Sequence, residues 1–520
     1  MSDIEKDAGS GGYDKEYVGG ATVEERRPSL APPKLGHIDE GIAEDEDLHR
    51  GLKARHISMI AIGGSIGTGL VIGSGSALVR GGPVGLFISY IIMGFCAFAT
   101  MMSLGEQAAY LPLKRGFSGY ASRFVDPALG VAVGYCYLCK YLVVTPNNIA
   151  WITIFIVIIV LLNLLGIKVF GELEFWASFL KLVTLTGLII CGLVIDLGGA
   201  PNGERLGFRY WRDKPFSHYI FQNDTGVFLG VWACMTAALF AYMVGVTFGE
   251  AQNPRKTVPA TIKRTFWRIL VFYIGSVFIV GLIVRADDPE LIAVTKQSTS
   301  AAASPFVLAI ERAQIRALPD IINGCLLLFV MSAANSDLYI GTRTLYGLAA
   351  QGYAPRFFMK VNRYLAADSG SYQVFTYFTA TVTLLGALTW LSILGSHLAF
   401  MRALKAQGVS RDSLPWKAPG QPYVAWTAFV ITAIVTFFKG FDSFTPTFNY
   451  KTFITNYCGI PLYIALYFGW KFCFKTKIIP AAEVDLISGR REFDEDQLAW
   501  EEAKMAGPKK SIWQKIWDGA

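Results

Sequence analysis

Residues 57–79 form a 23-residue apolar run whose middle reads Ile62-Gly63-Gly64-Ser65-Ile66-Gly67-Thr68-Gly69-Leu70. A run of that length crosses a bilayer as a helix. Four glycines within seven residues work against it, because glycine is a poor helix former. A helix opened there leaves backbone N–H groups unpartnered at membrane depth. Such backbone is tolerated only where it is buried in protein or lines a cavity. N–H groups at the start of a half-helix suit a carboxylate. The competing reading of the same glycines is close helix–helix packing of the small-xxx-small kind.

The run is not isolated. Hydrophobic residues make up 53% of the 520 and charged residues only 17%, against about 25% charged in a soluble domain. Spans are expected near 57–79, 86–111, 128–146, 149–167, 175–197, 226–248, 268–285, 321–348, 373–401, 421–440 and 453–474, eleven in all. The fold class is therefore an all-α polytopic membrane protein. Residues 1–50 are polar, carry Gly9-Ser10-Gly11-Gly12 and Pro32-Pro33, and read as a disordered tail with no cleavable signal. The net charge of +7 is spread over short loops and gives no nucleic-acid footprint. All eight cysteines lie in or beside apolar runs, so neither a disulfide framework nor a Cys136-x-x-Cys139 redox site is expected.

Basic clusters set the sidedness. Lys114, Arg115 and Arg123 follow span two; Lys256, Lys263, Arg264 and Arg268 follow span six; Arg356, Lys360 and Arg363 follow span eight. All fall inside if the N-terminus is cytoplasmic. A further cluster, Arg402, Lys405, Arg411 and Lys417, should also be inside, yet only one span separates it from Arg356–Arg363. Either residues 373–401 are re-entrant or a helix is missing near Arg363–Asp368. The apolar stretch from Ala128 to Ile167 must turn at Pro146-Asn147-Asn148, since one straight helix of 40 residues would be about 60 Å long.

The chain closely resembles the fungal amino acid permeases, the yeast amino acid transporter family of the amino acid–polyamine–organocation superfamily. The resemblance rests on Leu52-Lys53-Ala54-Arg55-His56-Ile57 leading into the glycine stretch, Ser103-Leu104-Gly105-Glu106, Gly171-Glu172-Leu173-Glu174-Phe175-Trp176, Gly249-Glu250-Ala251-Gln252-Asn253-Pro254-Arg255-Lys256, Ser336-Asp337-Leu338-Tyr339 and Arg343-Thr344-Leu345-Tyr346-Gly347. It covers roughly residues 45–495. It implies twelve spans in an inverted-repeat five-plus-five bundle, broken spans one and six, and proton-coupled amino acid import at the plasma membrane. Three departures stand out. Ile149-Ala150-Trp151 joins spans three and four directly. Phe240-Ala241-Tyr242 runs straight into Met243-Val244-Gly245, where the family has an aromatic-x-Gly-Thr-Glu break. Only Leu365-Ala366-Ala367-Asp368 follows Asn362-Arg363-Tyr364. The expected organisation is a cytoplasmic tail over 1–50, a permease domain over 51–475 shortened around 149, 242 and 365, and a cytoplasmic tail over 476–520.

Site residues follow from both sources. Gly64, Ser65, Ile66, Gly67, Thr68 and Gly69 are expected to hold the substrate carboxylate. Phe240, Ala241 and Tyr242 stand where span-six carbonyls would take the ammonium, or they form an ordinary aromatic helix face. Lys181 lies inside span five and, by resemblance, replaces a bound sodium ion in proton coupling; snorkelling is the alternative. Glu106 is a further proton-coupling candidate, or a helix-end acid or gate at the inner rim. Lys140 is expected to snorkel or face a turn. No metal spacing, nucleophile elbow or phosphate loop is present, so neither cofactor nor enzymatic activity is expected. The partners are an amino acid substrate, protons and membrane lipid. Ubiquitin-ligase adaptors at the tails, with Lys6 and Lys15 as acceptors, are implied by resemblance only. No acidic pocket is evident, which points toward broad or neutral substrates. The alternative to transport is a transport-inactive variant acting as an amino acid sensor or a non-functional isoform.

Overall fold

The computed structural model describes residues 68–71, 73–111, 113, 116–144, 167–243, 254–297, 304–355 and 372–488. Every regular element among them is helical, and seven helices are long and apolar enough to cross a membrane. Residues Gly64 to Gly67, the expected span four except for its last residue, and the chain before 68 and after 488 lie outside the described residues.

Span one leaves the glycine stretch as α1 (Thr68–Val71) and continues into α2 (Gly73–Tyr110). α2 holds a kink at Gly82, with φ 73° and ψ 175°, followed by Pro83. Only glycine takes that backbone without strain. A Cβ there would stand 2.8 Å from the Phe216 Cα, the Pro215 oxygen and the Ser217 nitrogen. The kink falls in the expected gap between spans one and two.

α3 (Gly116–Phe124) is short, and α4 (Pro127–Val144) is span three. The Ala128 N–H donates to Asp126 Oδ1 at 2.9 Å, and Pro127 takes the first helical position, where a missing N–H costs nothing. Lys471 pairs with the other Asp126 oxygen and ties the last span to the start of span three.

In α5 (Ile167–Asp196), Glu174, Ser178, Lys181, Leu185, Leu188 and Ile195 are buried, while Trp176, Phe179, Val183 and Ile190 are exposed. The buried set recurs every three, four or seven residues and so shares one helix face. Polar groups turn inward because lipid offers them no hydrogen bonds.

α6 (Asp224–Ala241) is capped by Asn223, whose side chain accepts from the Gly226 N–H at 3.2 Å. It stops at Tyr242, short of the expected limit at 248. Span seven comprises α7 (Pro254–Arg268), a π-helical turn (Ile269–Ile274) and α8 (Gly275–Ile283). Its membrane-length helix begins at Pro259, so Lys263, Arg264 and Arg268 lie within it and not in the loop that the charges suggested. Charges on the first turns depress local hydropathy and hide the true start.

α9 (Leu318–Ala350) and α10 (Tyr372–Ala406) run in the same direction. Just beyond α9, Tyr353 meets α3 and α4, with Ser122 at 2.8 Å and Tyr135 at 2.7 Å. The C-terminal half of α10 lies at that same end, with Phe400 against Phe124 and Tyr110. At the opposite end, Lys439 Nζ donates to the Ala380 oxygen near the start of α10. α10 is one continuous helix, which removes the re-entrant reading. The chain between α9 and α10 joins opposite ends of the bundle; most of it, 356–371, is outside the described residues. α11 (Tyr423–Phe437), α12 (Tyr450–Tyr457) and α13 (Gly459–Phe474) follow α10, and further short helices cover Arg209–Asp213, Pro289–Gln297 and Pro305–Arg312.

Candidate functional site

Gly69 on span one meets Phe240 and Ala241 on span six. α1 packs against α6 and α9. A Cβ at Gly69 would lie 2.9 Å from the Ala241 Cα and 3.1 and 3.2 Å from the Phe240 ring. The absent side chain is what lets the two backbones approach. α6 ends at this contact: the Tyr242 N–H closes on the Ala238 oxygen at 3.0 Å, and Met243 is no longer helical. Phe240-Ala241-Tyr242 therefore marks a helix end inside an apolar segment, where the Met243 N–H closes on the Phe240 oxygen at 3.1 Å. Gly69 belongs to the described part of the carboxylate set; Gly64, Ser65, Ile66 and Gly67 do not, and Thr68 is described in backbone only.

Behind this contact lies a tyrosine cluster. Tyr242 is fully buried, stacks on Tyr273 at 4.5 Å, and donates its hydroxyl to the Tyr90 carbonyl at 3.0 Å. Arg268 is buried beside Tyr242 and Tyr273, and its Nε and Nη1 have no hydrogen-bond partner among the described residues. Charge at this depth was not legible, because the sequence put Arg268 at the very start of span seven.

Lys181 sits in a second polar cluster, between spans three, five and eight. It is 1% exposed, as is Glu174 one face-repeat earlier. Ser332 Oγ on α9 donates to Glu174 Oε1 at 2.7 Å. Glu174 and Asp337 are the carboxylates whose fields reach Lys181. Lys140 on α4 is also buried, with its ammonium 5.3 and 4.8 Å from the Tyr137 and Tyr141 ring centres. Both lysines are enclosed by helices, so the expected snorkelling of Lys140 does not occur. Its position six residues before Pro146 suggested a helix end, but the neighbouring helices cover it.

Glu106 is elsewhere, at the basic end of the bundle. It is fully buried and accepts two hydrogen bonds from Arg411, Nε to Oε1 at 2.8 Å and Nη2 to Oε2 at 3.1 Å. His397 Nε2 lies 3.3 Å away, and the Ala418 N–H donates at 3.4 Å. A two-pronged guanidinium–carboxylate contact is among the strongest polar interactions available. The sequence-predicted residues thus divide in three: a helix-break contact, an inner charge cluster and an end latch. Next to the latch, residues 477–488 strap across the same end. Arg123 pairs with Asp485 at 2.9 Å, and Gln407 donates to the Val484 oxygen at 2.6 Å.

Similarity to known proteins extends over most of the chain. The amino acid permease family model matches residues 56–480. The dicarboxylic amino acid permease of Saccharomyces cerevisiae is 43% identical over 518 residues of alignment, covering 91% of this chain and 84% of its own length. The lysine-specific permease of the same yeast is 38% identical, covering 92% of this chain and 84% of its own. In the first comparison, 91% of 520 residues is about 473, some 45 short of the 518 aligned. The relative therefore has internal positions with no counterpart here. Among solved structures, the nucleobase-cation-symport transporter Mhp1, with bromovinylhydantoin bound, overlaps loosely, with a TM-score of 0.40 and 14% identity over 86% of this chain and 97% of that one.

Proposed function

This chain belongs to the amino acid permease family, and we propose that it imports amino acids across the plasma membrane together with a proton, with both termini in the cytoplasm. The observation that carries the reading is the approach of Gly69 to Ala241 and Phe240. It brings a helix start and a helix end to one point within apolar helices. Freed N–H groups of Gly64 to Gly69 take the substrate carboxylate, and the carbonyls at the end of α6 take its ammonium. Phe240 covers the bound molecule. Alternating access then follows from rocking of the helices around this point.

Lys181 carries the coupling. A buried ammonium between Glu174 and Asp337 exchanges a proton without leaving a bare charge in lipid. Glu106 closes the inner end, since its hydrogen bonds to Arg411 support a gate more than a proton acceptor. The test is uptake of a radiolabelled amino acid mixture by permease-deficient yeast expressing this chain, at pH 5 and pH 7. Uptake should be stronger at pH 5 and lose that dependence in Lys181→Ala. Absence of uptake with the protein at the cell surface would refute the transport reading.

A further inference from the structure

His397 takes no part in the coupling at Lys181, yet it touches the end latch. It is fully buried on α10, and its Nε2 lies 3.3 Å from Glu106 Oε2. Glu106 also takes both prongs of Arg411, and a carboxylate in such a pair only accepts. Nε2 therefore carries the imidazole hydrogen. Nδ1 is left as a bare lone pair, buried with no hydrogen-bond partner among the described residues. It is an atom at the latch with room for a proton.

The elements around α10 bring other charged and titratable groups to this end. Glu106 and Tyr110 come from α2, and Tyr120 and Arg123 from α3. Arg123 pairs with Asp485, Lys417 with Asp412, and Asp126 before α4 with Lys471 of α13. Farther along are Cys136 of α4 and Tyr463 of α13, the latter bonded to Ser392 at 2.6 Å. α11 adds Tyr423, and Arg402 and Lys405 of α10 itself are exposed. α12 and the end of α6 meet the other half of α10, at Thr381 and Gly386. From pH 5.5 to 7.5 an imidazole changes form, whereas thiols, phenols and paired ions keep theirs.

Opening this end requires Arg411 to leave Glu106. With Arg411 in place, a proton on His397 sets two cations against one buried carboxylate and leaves the new Nδ1–H unpaired. With Arg411 withdrawn, the same proton makes His397 the counter-ion that Glu106 has lost, and water entering the opened end serves Nδ1–H. Protonation thus favours the open latch, and by linkage acid favours opening. We propose that His397 is a proton-binding residue of the inner end, its proton and Arg411 replacing each other as the partner of Glu106. The proton enters on Nδ1 as Arg411 leaves and returns to cytoplasmic water before Arg411 comes back. The inference rests on Glu106 acting as a gate and adds what controls it.

The test is cysteine accessibility in inside-out vesicles holding the full-length chain with Cys458→Ser and Cys473→Ser. Ser103→Cys reports opening, since Ser103 is fully buried one turn deeper on α2 than Glu106. Its labelling by an impermeant thiol reagent is divided, at pH 5.5 and pH 7.5, by that of Lys477→Cys at an exposed position. The ratio should be about tenfold higher at pH 5.5, because one proton taken up on opening supplies at most about tenfold per pH unit. His397→Gln keeps a donor for Glu106 but binds no proton, and should hold the low ratio at both pH values. His397→Lys, with a standing charge, and Arg411→Met should hold the high one. A ratio in Arg411→Met as low as in the unaltered chain overturns the gate and the proposal with it. A ratio in the unaltered chain that ignores pH, or an undiminished rise in His397→Gln, overturns the proposal and leaves the gate. Independently of the reporter, the stability that Arg411→Met loses in detergent should be partly regained at pH 5.5, but not when His397→Gln is added; an equal loss at both pH values also overturns the proposal.

Discussion

Arg411→Met should damage the protein more than Glu106→Gln, and combining the two should repair part of the damage. The reason is the unequal burial of the partners: Glu106 is 0% exposed at its side chain and Arg411 28%. Removing the guanidinium deletes both short hydrogen bonds and leaves the carboxylate with His397 Nε2 at 3.3 Å and the Ala418 N–H at 3.4 Å. Stranding a buried charge in this way costs about 3–5 kcal/mol. Removing the carboxylate charge instead leaves an arginine that reaches water, for a loss of about 1–3 kcal/mol. In the double variant neither charge remains, so it should be more stable than Arg411→Met alone by about 2 kcal/mol. Cys96, Cys136 and Cys234 are buried and free. With the exposed Cys458 and Cys473 replaced by serine, a thiol-reactive fluorophore reports unfolding in detergent through the added reaction of these buried thiols. Equal losses from the two single variants, or strict additivity in the double, would refute the argument.

Gly69→Val should lower uptake at least tenfold with surface expression retained, because its Cβ meets the Ala241 backbone at 2.9 Å; near-normal uptake would dissolve the site. Arg268→Met should stabilise the detergent-solubilised protein by about 1–3 kcal/mol, since Nε and Nη1 are buried without partners among the described residues; a loss of stability would show that the guanidinium is paired. Asp485→Asn should speed limited proteolysis between residues 477 and 488. Burial pushes the Asp485 carboxyl up, but the Ser488 and Ile487 N–H groups and Arg123 outweigh it and hold it below the usual carboxylate range. A lowered value contributes stability that is present above the unfolded value and lost as pH falls through the folded one. The strap should therefore resist protease at neutral pH and loosen only in acid below the ordinary carboxylate range. Equal digestion of both forms at pH 7 would count against it.

Hydropathy was enough to place most spans, because membrane length and apolar composition are local properties. The helix end at Phe240-Ala241-Tyr242 was legible only through resemblance, and the composition of the segment alone left an aromatic helix face equally open. The starting point of span seven was missed, since Lys263, Arg264 and Arg268 read as loop charges while the helix runs through them. Lys140 was misjudged for a related reason: distance from a proline says nothing about which helices cover a side chain. The partners of Glu106 could not be read at all. Arg411 and His397 lie 305 and 291 positions away, and no periodicity links residues across that separation. The conflict between the two basic clusters did carry information, since α9 and α10 run in the same direction and finish at the same end of the bundle.

The distance between Glu106 and Arg411 also bears on biogenesis. Membrane segments leave the ribosome in order, and early ones settle before late ones exist. Glu106 must enter the bundle while more than three hundred residues remain untranslated, so its charge has no guanidinium to meet. The nascent protein carries an unpaired acidic group until residue 411 of 520 has been made. Closure of that contact is then a record of completed synthesis, and any product ending before Arg411 lacks it. A quality-control system that senses unpaired charge in the membrane would find such a product by Glu106 alone.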